Sequence, residues 1–231
     1  MEILPNGYTL KLCPQAFPLS TDSMVLAHFA KLPPNARVLD LGSGCGTLGL
    51  LLCAGDSGCN VTGIELSEVA HHAALDNIQR NHLDTRMVSL CADLRSVSER
   101  FSPGTFSVCV SNPPYFSGGP ASRALPHARR EDTCKPEDLF SAANWCLKYG
   151  GDFYLVHKPE RLAELIALAD RRGLTAKRLL LLRHRENGPI SLVFLQFRKG
   201  GKPGLILEEQ SLFDSNETPT AFHSAVYHTN T

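Results

Sequence analysis

The chain has 231 residues, 43% hydrophobic and 20% charged, an ordinary globular composition for one larger domain or two small ones. No apolar run reaches the ~18–20 residues of a membrane helix, which excludes an integral membrane protein. The start, MEILPNGYTLKL, lacks the basic-then-apolar pattern of a signal peptide. The 23 Lys and Arg balance the 23 Asp and Glu, but unevenly: residues 1–99 carry a net −4, 171–202 a net +8 and 203–231 a net −4. The basic segment is a candidate nucleic-acid footprint or a solvated face.

Eight cysteines are spread along the chain with no Cys-x-x-Cys pair, so neither a zinc ribbon nor a dithiol site is expected. Cys109, inside FSVCVS, reads as a small buried hydrophobe. Reduced thiols in a cytoplasmic protein are expected. The nine histidines are scattered, and no metal or catalytic role is assigned to them. Trp145 reads as core.

In chain order, ARVLDLGSG (36–44) is a short apolar strand ending in glycines, followed by the helix-length CGTLGLLLCAG (45–55). NVTGIEL (60–66) is a β-branched strand. SEVAHHAALDNIQRNHL (67–83) has a serine start, with Ala70, Ala73, Ala74, Asn77 and Ile78 on one helical face. RMVSLCAD (86–93) and TFSVCVSN (105–112) are strands. Residues 135–151 read as a helix with Pro136 early and Gly150–Gly151 at its end. DFYLVH (152–157) is a strand and 159–173 a helix. The runs 174–182 and 190–197 are strands joined by a hairpin turn over 184–189.

This alternation predicts an α/β fold: a doubly wound, mostly parallel seven-stranded sheet with an antiparallel C-terminal hairpin strand. Residues 1–35 are expected to form a short N-terminal extension packed on the main fold, 36–213 the main domain and 214–231 a flexible tail. The Gly- and Arg-rich stretch 116–132 reads as a long loop.

Asp40-Leu-Gly42-Ser-Gly44-Cys-Gly46-Thr-Leu-Gly49 follows the first strand and opens a helix. Glycines there let backbone approach a ligand closely. Glu65 ends the second strand, where an acid accepts hydrogen bonds from both hydroxyls of a ribose. The loop alone does not separate NAD from S-adenosylmethionine. Asp40 favours the latter, because a carboxylate suits a cationic amino acid and repels pyrophosphate. Asp93, after the third strand, is placed for an adenine amino group and equally for capping the turn that follows.

Asn112-Pro113-Pro114-Tyr115 ends the fourth strand, at the strand termini where open α/β sheets bind ligands. The Asn112 side-chain oxygen and the Pro113 carbonyl can accept both hydrogens of one planar –NH2. Tyr115 offers a stacking face. Such a nitrogen is a weak nucleophile, so positioning suits the chemistry better than a tuned base.

Together these residues resemble the class I S-adenosylmethionine-dependent methyltransferases that act on exocyclic or amide nitrogen. GYTLKL (7–12), PLSTDSMVLAHFA (18–30), HARRED (127–132) and VHKPERL (156–162) narrow the resemblance to the bacterial tRNA1(Val) adenine-37 N6-methyltransferase family. The resemblance implies a Rossmann-like fold and the cofactor S-adenosylmethionine. It implies contacts to the cofactor from Asp40, Gly42, Ser43, Gly44, Gly46, Glu65, Leu66, Asp93, Leu94 and Asn112. Thr21 and Asp22 join them, with simple capping of a helix by Ser20 or Thr21 as the plainer reading. The implied substrate is an adenine in structured tRNA. Arg123, Arg129, Arg130 and Lys135 beyond the tetrapeptide, with Arg183 and Arg185 in the basic segment, are the expected phosphate contacts. A release-factor glutamine N5-methyltransferase shares the tetrapeptide, but would carry a helical domain ahead of the cofactor fold. A ribosomal-RNA guanine N2-methyltransferase and an adenine-specific DNA methyltransferase are further alternatives, although the latter would need room for a target-recognition domain.

Overall fold

A computed structural model describes residues 1–4, 7–13, 19–56, 58–113 and 135–227. Glu2–Ile3 (β1) and Thr9–Leu10 (β2) pair as a small antiparallel hairpin, and Thr21–Phe29 forms α1. The main alternation then runs Arg37–Leu41 (β3), Thr47–Gly55 (α2), Asn60–Glu65 (β4), Glu68–Arg80 (α3), Met87–Cys91 (β5), a 3-10 stretch over Leu94–Glu99, and Phe106–Ser111 (β6). Pro136–Cys146 (α4), Leu147–His157 (β7), Leu162–Arg171 (α5), Leu174–Arg185 (β8), Ile190–Lys199 (β9), Ile206–Phe213 (β10) and Ala221–Tyr227 (α6) complete it.

The large sheet has eight strands in the order β10-β8-β9-β7-β6-β3-β4-β5. Every neighbouring pair is parallel except those of β9, which runs antiparallel to both β7 and β8. Successive strand residues face opposite cores. Val38, Val108, Tyr154 and Val156 pack with α1 and α2, while Leu39, Cys109, Phe153 and Leu155 pack with α4 and α5. Burial on both faces is why these strands read as continuous apolar runs.

Four expectations need correction. The sheet has eight strands, not seven, because Ile206–Phe213 adds β10 beside β8. Only Leu212 of its residues is buried, so hydrophobic pattern hides this edge strand. The helix expected over 135–151 ends at Cys146, and β7 begins at Leu147, opposite Phe106. Gly150, at φ 77°, belongs to an irregularity inside β7 and not to a helix terminus. The expected flexible tail contains α6, whose Val226 and Ser224 are buried. Trp145 is 38% exposed, with its indole N–H donating to the Phe101 carbonyl, and is not core.

Sheet order places the crevice. From β3 the chain moves outward to β4 and β5, then returns to the other side of β3 for β6 and β7. The carboxyl ends of β3 and β6 therefore flank a topological switch point, where such sheets bind ligands.

Candidate active site

Asp40 and Leu41 end β3, and the chain then turns over β4: the Gly42 and Ser43 N–H groups both donate to the Ile64 carbonyl, at 2.9 and 3.0 Å. Gly42, Gly44 and Gly46 have φ of 76°, 55° and 83°, a region that disfavours residues with a Cβ. Open space surrounds a Cβ built on Gly42 or Gly44. Gly46 and Gly49 are also packed closely, since a Cβ there would meet the Met87 methyl at 2.8 and 2.5 Å.

Glu65 closes the cradle. Its Oε2 accepts the Gly44 N–H at 2.8 Å and its Oε1 accepts the Ser67 N–H at 2.8 Å, which fixes the carboxylate and leaves each oxygen a further lone pair. Asp40 is 1% exposed. Burial, with the Glu65 charge adding to it, pushes its carboxyl up to about 7. Asp40 Oδ2 and Ser43 Oγ have no hydrogen-bond partner among the described residues. Buried polar atoms of this kind call for a partner, and a cationic group would supply one for Asp40.

Asp93 follows β5 and caps the 3-10 stretch, accepting the Arg95 N–H at 2.8 Å. The Arg95 guanidinium also grips its carboxylate and holds it below the usual carboxylate range. The capping role is thus realised, and an adenine amino group would share this carboxylate with Arg95. Leu66, 52% exposed, lies between Glu65 and the Ser67 cap of α3, and Leu94 opens the 3-10 stretch.

Across the switch point, Ser111 at the end of β6 donates its hydroxyl to the Leu41 carbonyl at 2.7 Å, tying the two strand ends together. Asn112 comes next, half-buried, with Pro113 buried beside it. The Asn112 Nδ2 donates to Ser23 Oγ at 2.9 Å, which brings α1 to the rim. Ser20, not Thr21, caps α1. The Thr21 hydroxyl instead meets the Tyr227 hydroxyl of α6 at 3.0 Å. Burial raises the Asp22 carboxyl, with the Lys158 charge opposing. At the end of β7, burial holds the His157 ring down at about 4, so it is neutral at pH 7.

Pro114, Tyr115, Arg123, Arg129 and Arg130 lie outside the described residues. Lys135 stands at the start of α4. Arg183 and Arg185, at the carboxyl end of β8, share the crevice edge, but both are ion-paired: Arg183 Nε to Glu209 at 2.7 Å and Arg185 Nη2 to Glu217 at 2.6 Å. The acidic C-terminal segment thus folds back on the basic one.

Three positioning groups escape a reading of the sequence. Ser23 is one. Gly63 is another: a Cβ there would meet Ser43 Oγ at 2.6 Å, so this glycine makes room for the loop. Asn77 is the third. Its amide exchanges hydrogen bonds with the Lys11 backbone at 2.8 and 2.9 Å and donates to the Cys45 carbonyl at 2.9 Å, pinning the N-terminal segment to the glycine loop. Its place on the buried helical face was the available signal, since a buried amide needs partners.

Residues 20–170 match the family model described as the methyltransferase small domain. A tRNA1(Val) (adenine(37)-N6)-methyltransferase of Dickeya chrysanthemi is 30% identical over 190 residues, covering 81% of this chain and 75% of that protein. One from Bacteroides fragilis is 28% identical over 185 residues, covering 79% and 77%. Among solved structures, a predicted O-methyltransferase from Agrobacterium tumefaciens superposes with a TM-score of 0.76 at 20% identity, over 90% of this chain and 96% of that one, and so shares the fold. The chain belongs to the methyltransferase small domain family and to the family of the tRNA1(Val) (adenine(37)-N6)-methyltransferases.

Proposed function

We propose that this protein is a cytoplasmic enzyme that methylates the exocyclic N6 of an unpaired adenine in structured RNA, adenine 37 of tRNA1(Val), with S-adenosylmethionine as donor. The observation that carries the reading is a juxtaposition. Asn112 at the end of β6 and the Asp40–Gly44–Glu65 cradle at the ends of β3 and β4 flank one switch point.

The cradle suits the donor. Asp40 faces its ammonium, Glu65 offers lone pairs to the ribose hydroxyls, and Gly42 and Gly44 let backbone approach. When bound, the group supplies an electrophilic methyl on a sulfonium. The protein's work is then to aim the amine. The Asn112 Oδ1 and the Pro113 carbonyl accept its two hydrogens and favour the pyramidal nitrogen, whose lone pair points at the methyl. Tyr115 stacks on the base. No tuned base is needed: as the methyl passes to nitrogen the sulfonium becomes a neutral thioether, and the proton of the cationic, alkylated nitrogen is acidic enough to leave to water. An adenine in an anticodon loop is already unpaired, so presenting it costs less than extruding one from a duplex. Arg123, Arg129, Arg130 and Lys135 hold the phosphates beside it, with Arg183 and Arg185 along the same edge.

The test is incubation of the protein and labelled S-adenosylmethionine with tRNA1(Val) transcript, followed by nucleoside mass spectrometry. N6-methyladenosine at position 37, lost when that adenine is replaced, supports the reading. Label in a release-factor peptide and not in tRNA refutes it.

A further inference from the structure

We propose that Ser23 is a positioning residue that orients the Asn112 amide for the reaction. The inference rests on the reading that Asn112 Oδ1 receives the target amine. A side-chain amide has two unlike ends, and turning it by half a revolution exchanges acceptor for donor at nearly the same place. Only the conformer with Oδ1 in the crevice can receive an –NH2; the other sets donors against donors. The productive conformer therefore sends Nδ2 the opposite way, where it needs an acceptor.

Ser23 Oγ is that acceptor, at 2.9 Å and 7% exposed. A hydroxyl can donate or accept. With the target amine claiming Oδ1, Ser23 is left to accept from Nδ2. Without the hydroxyl, the productive conformer would hold an unpaired amide hydrogen in a half-buried place, and its population would fall.

The serine is carried on a braced element. Ser20 caps α1 at its start, and the Thr21 hydroxyl bonds Tyr227 of α6. At its far end, Phe29 packs edge-on against Tyr154, whose hydroxyl donates to the Lys31 carbonyl at 3.1 Å. So α1 delivers Ser23 to the crevice from outside the strand–helix alternation that builds the cradle. That gives the N-terminal segment a part in setting the amine's orientation.

The experiment compares the full-length protein with Ser23→Ala, Ser23→Thr and Ser23→Val, the last two differing by an oxygen in place of a methyl. Steady-state methylation of tRNA, S-adenosylhomocysteine affinity and thermal unfolding are measured for each. The expected result is a kcat reduced roughly tenfold in Ser23→Ala and Ser23→Val, the loss of about one hydrogen bond. KM for tRNA and cofactor affinity stay unchanged, and Ser23→Thr keeps most of the rate. In a thermal double-mutant cycle with Asn112→Ala, the two sites should couple non-additively. Wild-type kcat in Ser23→Ala, equal rates in the Thr and Val variants, or additive stabilities would overturn the inference while leaving the activity reading intact. A wild-type protein inactive on tRNA would instead refute the activity reading, and this inference with it.

Discussion

Glu65 accepts the Gly44 N–H at 2.8 Å, so the acid that ends β4 also holds the glycine loop that follows β3. One side chain thereby shapes the loop opposite and, in the proposed function, also receives the ribose. Replacing Glu65 by alanine removes acceptors for the ribose and releases Gly44 and Ser67. Charge-assisted hydrogen bonds are worth about 1.5–3 kcal/mol each, so cofactor affinity should fall by a factor of at least ~10. Calorimetry with S-adenosylhomocysteine measures it, and unchanged affinity would reject the assignment. Glu65→Gln should fall between, because the amide cannot accept at both ends.

Asp40 makes both stability and binding depend on pH. Its folded pKa, about 7, lies above the ordinary 3.8, so the folded protein holds a proton that the unfolded chain has released. This contribution is complete below about pH 4 and is lost as pH rises through 7. Asp40→Asn should flatten that part of the profile of melting temperature against pH between 5 and 8. A cationic ligand favours the ionised form, so binding should expel a proton near pH 6 and tighten as pH rises. Calorimetry in two buffers of different ionisation enthalpy counts that proton. Zero release would contradict the placement of the ligand ammonium at Asp40.

Asn112→Ala should separate chemistry from cofactor binding. Losing a preorganised contact to the reacting group costs roughly 10²–10³ in rate. Most of the cofactor cradle lies on β3 and β4, so S-adenosylhomocysteine affinity should fall far less than the rate, although the resemblance also sets Asn112 beside the cofactor. Turnover near wild type would show that another group aims the amine.

Gly63→Ala tests how tightly the loop is packed from beneath. A Cβ at this position would approach Ser43 Oγ at 2.6 Å and Cβ at 2.8 Å. Overpacking of this kind costs about 1–3 kcal/mol. Thermal unfolding should drop and cofactor affinity weaken together, and the additional change Ser43→Gly should restore the stability. No change in either quantity would show that the loop yields.

The salt dependence of RNA binding reports on the basic residues. Affinity for tRNA should fall steeply from low to moderate salt, since phosphate contacts release counterions. Changing Arg129 and Arg130 to alanine should shallow that slope, and a flat response would remove the loop as a clamp. The ion pairs of Arg183 with Glu209 and Arg185 with Glu217 add a converse test. Exposed pairs are worth at most about 1 kcal/mol, so phosphate can displace the glutamates. Glu209→Ala and Glu217→Ala should therefore tighten tRNA binding modestly.

The sequence by itself determined the alternation of β3 through α5, the glycine loop, and the placing of Asp40, Glu65 and Asn112 at strand ends. Local signals sufficed there. Doubly buried strands are apolar throughout, glycines mark the turn, and a strand's end is visible wherever such a run stops. The edge strand β10 escaped because a strand with a single buried residue carries no burial pattern, and its pairing with β8 is held by backbone and by contacts such as Arg178 Nε to Glu208 at 2.8 Å. Tertiary structure alone decided the partners. Ser23 meets Asn112 across 89 positions of chain, and Asn77 reaches Lys11 across 66. The same folding sets Arg183 and Arg185 against acids of the C-terminal segment. The physical reason is that hydrogen bonds and ion pairs act over a few ångströms, and strand order, which no local pattern encodes, decides which distant residues come that close.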